Sequence, residues 1–169
     1  MRRLLRRSDC PISSALDLLG DKWSLLVMRD VLLRGKSHYR EFLASEEHIA
    51  TNILADRLSR LEAAGLLERD AGEPRSGKQS YHATAKGKDL IPLLLQMMTW
   101  SAAHDPYAAV PGPLITALTT DFSATARAIR DLGGVEPFLA TLPAAPPDPR
   151  PAPATAPPGA GRAGPARRP

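Results

Sequence analysis

The sequence predicts a mainly α-helical domain with one small β-hairpin, followed by extra helices and a low-complexity tail. Three observations carry this prediction. In residues 52–69, Ile53, Leu54, Leu58 and Leu61 recur at three- and four-residue steps, and the helical pattern stops at Gly65. Directly after it, residues 67–71 and 79–83 read as two strands flanking a turn-rich tip, Gly72-Glu73-Pro74-Arg75-Ser76-Gly77-Lys78. Apolar periodicity is dense from residue 8 to about residue 105, weaker over 111–142, and gone from residue 143.

The elements follow in order. Pro11 suits a first helical turn and makes Cys10 the cap, with Ile12, Ala15, Leu16 and Leu19 on one side. Asp21-Lys22-Trp23 opens a second helix whose inward face is Trp23, Leu26, Val27 and Val31, and Gly35 ends it. Residues 38–45 form a short helix with Tyr39, Phe42 and Leu43 inward; Ser45-Glu46-Glu47-His48 is a polar turn, and Ile49 restarts the apolar pattern. The helix that follows has Thr51, Asn52, Ala55, Asp56, Ser59 and Arg60 on its front, small or hydrogen-bonding side chains where a solvated helix would have Lys and Glu. Gly65 can close it in the left-handed conformation. Thr84 is the expected N-cap of a last long helix over residues 85–103, with Leu90, Leu94, Met97 and Trp100 or Ser101 as its stripe and a bend at Pro92. Residues 114–118 and 122–132 look helical, and a short helix follows near Phe138. Residues 143–169 are Pro, Ala, Gly and Arg, too poor in apolar bulk to offset the entropy of ordering, so a disordered tail is expected.

A short helix, a tight turn, a longer helix and a hairpin together make a winged helix-turn-helix. In that arrangement the helix beginning at Thr51 lies in a major groove of double-stranded DNA. Thr51 and Asn52 would face base edges, since Asn can pair with adenine and the threonine methyl can touch thymine. Arg75 and Lys78 at the hairpin tip would reach phosphates. Arg57 either serves the phosphate backbone or braces the helix, or is taken up in an ion pair with Glu41 or a neighbour.

Composition bounds the alternatives. The chain has 169 residues, 43% hydrophobic and 24% charged, with a net charge of +4 that allows an anionic partner. No apolar run approaches a membrane span and no signal-peptide core follows the basic N-terminus, so a cytoplasmic location is expected. One cysteine excludes a disulfide framework or a cysteine zinc cluster. His38, His48, His82 and His104 lack metal-ligand spacing, no glycine-rich phosphate loop is present, and no carboxylate pair stands in an apolar setting. Neither an enzyme nor a bound cofactor is expected. The competing reading is a winged-helix module that binds a protein or ligand and not DNA.

Several spaced motifs over residues 8–105 resemble the HxlR-type regulators, a winged-helix family of the MarR-like superfamily. They are Cys10-Pro11, Gly20-Asp21-Lys22-Trp23-Ser24-Leu25-Leu26-Val27-Met28-Arg29-Asp30, His38-Tyr39-Arg40-Glu41-Phe42, the run from Ile49 to Leu58, Tyr81-His82-Ala83-Thr84-Ala85-Lys86-Gly87, and Trp100. Ala50 and Ala83 depart from the serine and leucine usual at their positions. The resemblance implies a homodimeric DNA-binding regulator of bacterial transcription, built as a dimer through its first and last helices. It also implies that Cys10 is a candidate sensor of oxidants or electrophiles, because a thiol at a helix N-terminus is placed to favour the thiolate. The expected organisation is a winged-helix domain over 8–105, a helical extension over 111–142 and the tail over 143–169.

Overall fold

The computed structural model describes residues 8–70 and 79–143. The hairpin tip with Arg75 and Lys78, and all of the expected tail except Pro143, lie outside the described residues. The described chain is mainly helical: α1 (Pro11–Leu19), α2 (Lys22–Leu32), α3 (Tyr39–Leu43), α4 (Thr51–Ala63), β1 (Leu67–Asp70), β2 (Ser80–Ala83), α5 (Ala85–Lys88), α6 (Ile91–His104), α7 (Gly112–Thr120), α8 (Phe122–Leu132) and α9 (Val135–Thr141).

Local chemistry accounts for the boundaries. Pro11 starts α1, where its missing N–H costs nothing. The Asp21 carboxylate accepts from Trp23 N and Ser24 N at 3.0 Å each and so caps α2. Glu41 accepts from the backbone of Ser37 and His38, both at 2.8 Å, fixing the entry to α3. After α4, Gly65 turns left-handed at φ 68°, Leu66 N donates to Leu61 O and Gly65 N to Glu62 O. That pair of bonds is a Schellman closure, which delivers the chain straight into β1.

β1 and β2 pair antiparallel from Leu67 opposite Ala83 to Asp70 opposite Ser80. An isolated bridge between His38 and Ser80, with Tyr81 N donating to Ser37 O at 2.8 Å, ties the hairpin to the segment before α3.

One expected element is divided. The helix expected over 85–103 is α5, a turn at Asp89 and Leu90, then α6. Pro92 therefore does not bend a helix; it sits in the first turn of a new one. Proline has no N–H to donate, and only a first turn needs none.

The core is one cluster. Phe42, Met28, Leu54, Leu58, Leu61, Leu67 and Leu95 are fully buried. Leu114 and Ile129 of α7 and α8 belong to the same cluster, and Val135 N donates to Leu33 O at 2.9 Å across the joint with α2. Burying each leucine contributes about 1.5–3 kcal/mol relative to exposure, so α7 to α9 strengthen the core they share.

Candidate nucleic-acid interface

α4 is strongly two-sided. Leu54, Leu58 and Leu61 are buried, whereas Thr51, Asn52, Ala55, Asp56, Ser59 and Arg60 are exposed. The front face read from the sequence thus points to solvent, with Thr51 and Asn52 in its first turn. Ala50 is the N-cap and supplies no side-chain hydrogen bond, so the first N–H groups of α4 are left for another acceptor. Tyr39 Oη donates to Thr51 O at 2.8 Å, holding α3 against this end of the helix.

The turn between α3 and α4 is pinned by charge. Asp30 is buried at the end of α2, where Lys36 Nζ reaches it at 3.0 Å and Ser45 Oγ donates to it. Lys36 Nζ also donates to Ser45 Oγ at 2.6 Å. Arg29 bridges Asp30 Oδ1, at 2.7 Å, and both oxygens of Glu47. The Arg29 guanidinium holds the Glu47 carboxyl down to about 2, against the opposing effect of burial. Three side chains from α2 and its exit therefore fix Ser45 and Glu47, in the turn that aims α4. Sequence reasoning missed this network. Its only local signal is a charged pair, Arg29-Asp30, inside the otherwise apolar stretch 25–33.

Arg57 faces inward along the protein surface. Its Nε donates to Asp21 Oδ1 at 2.8 Å and its Nη1 to Asp56 Oδ2. Burial pushes the Asp21 carboxyl up, but hydrogen bonds from Ser24 and Arg57 outweigh it and leave it below its ordinary value. Of the roles open to Arg57, the geometry is that of a brace between α4 and the cap of α2; Glu41 is not its partner.

The far end of α4 is held by the strand-to-helix junction. Thr84 Oγ1 donates to Gly65 O at 2.7 Å and accepts from Gly87 N at 3.1 Å, while Lys86 Nζ donates to Ala64 O at 2.8 Å. Thr84 N donates to Leu66 O. These side chains satisfy carbonyls that a helix end leaves open, and the two cations of α5 suit its negative pole.

Cys10 is exposed and is the N-cap of α1, with no side-chain capping bond; its carbonyl accepts from Ser14 N at 3.0 Å. It stands apart from α4. The described residues thus join Thr51, Asn52 and Arg57 on one helix, leave Cys10 on another, and do not reach Arg75 or Lys78.

The HxlR-like helix-turn-helix family model matches residues 18–108. The chain belongs to the HxlR family. Its members among the relatives are regulators of transcription and not enzymes. An uncharacterised HTH-type transcriptional regulator of Synechocystis is 35% identical over 88 residues, covering 52% of this chain and 64% of the relative. The uncharacterised HTH-type transcriptional regulator YybR of Bacillus subtilis is 30% identical over 98 residues, covering 58% of this chain and 78% of its own length. Among solved structures, the redox regulator HypR in its oxidised form aligns with a TM-score of 0.52 at 30% identity, over 56% of this chain and 97% of HypR. The chain is therefore a transcriptional regulator of HxlR type with a winged-helix fold. No described helix is long and apolar enough to cross a membrane.

Proposed function

We propose that the protein binds specific double-stranded DNA as a homodimer in the cytoplasm, α4 lying in the major groove and the hairpin tip beside it. The exposed, contact-ready front of α4 carries this reading, because its turn is rigidly fixed and its first residues are Thr51 and Asn52. Two exposed apolar stripes support the dimer. Ile12 and Leu16 of α1 are 70% and 53% exposed, and Leu93, Met97 and Trp100 of α6 are 45%, 47% and 64% exposed. The last three stand at i, i+4 and i+7, one helical face that a second copy would cover. Arg75 and Lys78 would add phosphate contacts, and Arg57 acts as the brace described above.

The test is DNA binding by fluorescence anisotropy, with the sequence upstream of the gene against random duplex. Thr51→Ala and Asn52→Ala should each lower discrimination by about 1–3 kcal/mol per lost base contact. Undiminished discrimination in both variants would remove α4 from the groove and favour the protein- or ligand-binding module.

We further propose that Cys10 makes the regulator responsive to electrophiles. The kinship with a redox regulator and the exposure of the thiol at the head of α1 support it. Addition of Cys10 Sγ to a quinone forms a C–S bond and passes the thiol proton to the ring oxygen, placing a bulky group beside the proposed interface. Wild type and Cys10→Ser are compared for DNA affinity with and without quinone; an equal response in both would reduce Cys10 to a cap.

A further inference from the structure

We propose that the groove between the α5–α6 corner and α8 binds a small amphipathic carboxylate, and that its occupancy adjusts α4. The floor of this groove is apolar: Ile91 and Ala126 are buried, Phe122 is half-buried, and Pro92 lies beside them. Its rim is Lys88, Arg127 and Arg130, and no carboxylate lines it. Lys88 and Arg127 have no ion-pair partner among the described residues. Arg130 Nη1 meets Asp89 Oδ1 at 2.6 Å, but Asp89 is 70% exposed and does not line the groove. Three cations around an apolar floor suit one kind of ligand, an anion carried on an apolar body. The guanidinium forks of Arg127 and Arg130, one turn apart on α8, match the two oxygens of a carboxylate.

The volume limits the size. The groove offers about 260 Å³, below the usual range of about 300–1,000 Å³ for drug-sized ligands, so roughly a dozen non-hydrogen atoms fit. Five of the eight lining residues come from α8, which lies beyond residues 18–108, so the groove is not complete in the part of the chain that the family model matches.

Position links the groove to α4. Lys88 closes α5, the same short helix whose Lys86 and preceding Thr84 hold the carbonyls at the end of α4. A second polar depression, lined by Glu68, Thr84, Ala85, Lys88, Arg130 and Asp131, continues the groove to the foot of the hairpin. A ligand that draws Lys88 and Arg130 together pulls on the element that caps the recognition helix. The coupling rests on the DNA-binding reading; the binding site does not.

The test is isothermal calorimetry on the full chain with 3-phenylpropionate and its neutral amide as probes. The acid should bind with a Kd of about 0.1–1 mM and the amide at least about tenfold more weakly. Lys88→Gln and Arg127→Gln should each weaken the acid about three- to tenfold without changing circular dichroism, and Ser123→Trp, an exposed lining position, should block it. Equal binding of acid and amide, no heat up to about 5 mM, or a Lys88→Gln/Arg127→Gln double variant that binds as wild type would overturn the site. Saturating acid should change the affinity for upstream DNA at least about threefold in wild type and not in the double variant. Unchanged DNA affinity with the groove filled would overturn the coupling, and no DNA binding at all would be read separately from the calorimetry.

Discussion

Replacing Gly87 with alanine tests whether the junction after the hairpin is built around the absence of one methyl group. Gly87 is buried, and a Cβ there would lie 2.1 Å from Leu66 O and 3.1 Å from Leu66 C. Both atoms are backbone, held by the Schellman closure of α4 and by Thr84 N, so neither can swing aside. Relief to an ordinary contact requires α5 to move by about 1 Å. Overpacking of this kind costs about 1–3 kcal/mol. The same shift strains the Thr84 bonds to Gly65 O and Gly87 N, worth about 1 kcal/mol as a cap. The expected loss is about 2–4 kcal/mol, or about 5–15 °C in Tm for a chain of this size. Urea unfolding at fixed protein concentration should show a lower midpoint and an unchanged slope. Gly65→Ala is the control: nothing lies within 4 Å of its added Cβ, and only the left-handed backbone at φ 68° is strained. It should cost about 1–2 kcal/mol. A Gly87→Ala loss no larger than that of Gly65→Ala would refute the steric account.

Two further outcomes follow from the same structure. Trp100→Asp and Met97→Asp should convert the proposed dimer to monomer in analytical ultracentrifugation with helix content retained, since both side chains are exposed in the single chain; an unchanged mass would place the interface elsewhere. The folded state holds Glu47 at about 2, below the ordinary 4.5, so the stability it contributes is complete above pH 4.5 and fades as pH falls toward 2. Glu47→Gln should therefore lie below wild type in Tm at neutral pH and converge on it in acid, and parallel curves would show that the Arg29 pair contributes nothing.

Local signals were legible in the sequence, and distant ones were not. The two faces of α4, its glycine stop, the strand starts at Leu67 and near Ser80, and the front residues Thr51 and Asn52 all follow from periodicity and turn chemistry within a few positions. Besides its neighbour Asp56, Arg57 pairs with Asp21, 36 positions away, and the anchors of the turn come from Arg29, Asp30 and Lys36. Nothing within one helix turn announces such pairs. The expected bend at Pro92 fails for a different reason. A proline reads as a bend or as a beginning depending on whether the preceding carbonyls are already used, and that is a tertiary fact. The stripe of α6 was blurred because residues 91–95 are all apolar. The structure separates them: Ile91, Leu94 and Leu95 are buried in the chain's own core, while Leu93, Met97 and Trp100 are left outward, as is Leu16 in α1.

The hydrogen bond from Val135 to Leu33, with Gly134 packed so that a Cβ would stand 3.1 Å from Leu33 O, has a consequence for cutting and grafting. The family match ends at residue 108, yet Leu114, Leu118, Ile129 and Phe138 belong to the same buried cluster as Leu54 and Leu95. Homology and cooperativity therefore draw different borders on this chain. A fragment trimmed to the matched region would lose most of α1, keep α2 to α6 with the hairpin, and bare the greasy underside that α7 to α9 cover. A piece that keeps this shared core runs to about residue 142, and transplanting α4 into another scaffold would have to supply a substitute for that clasp.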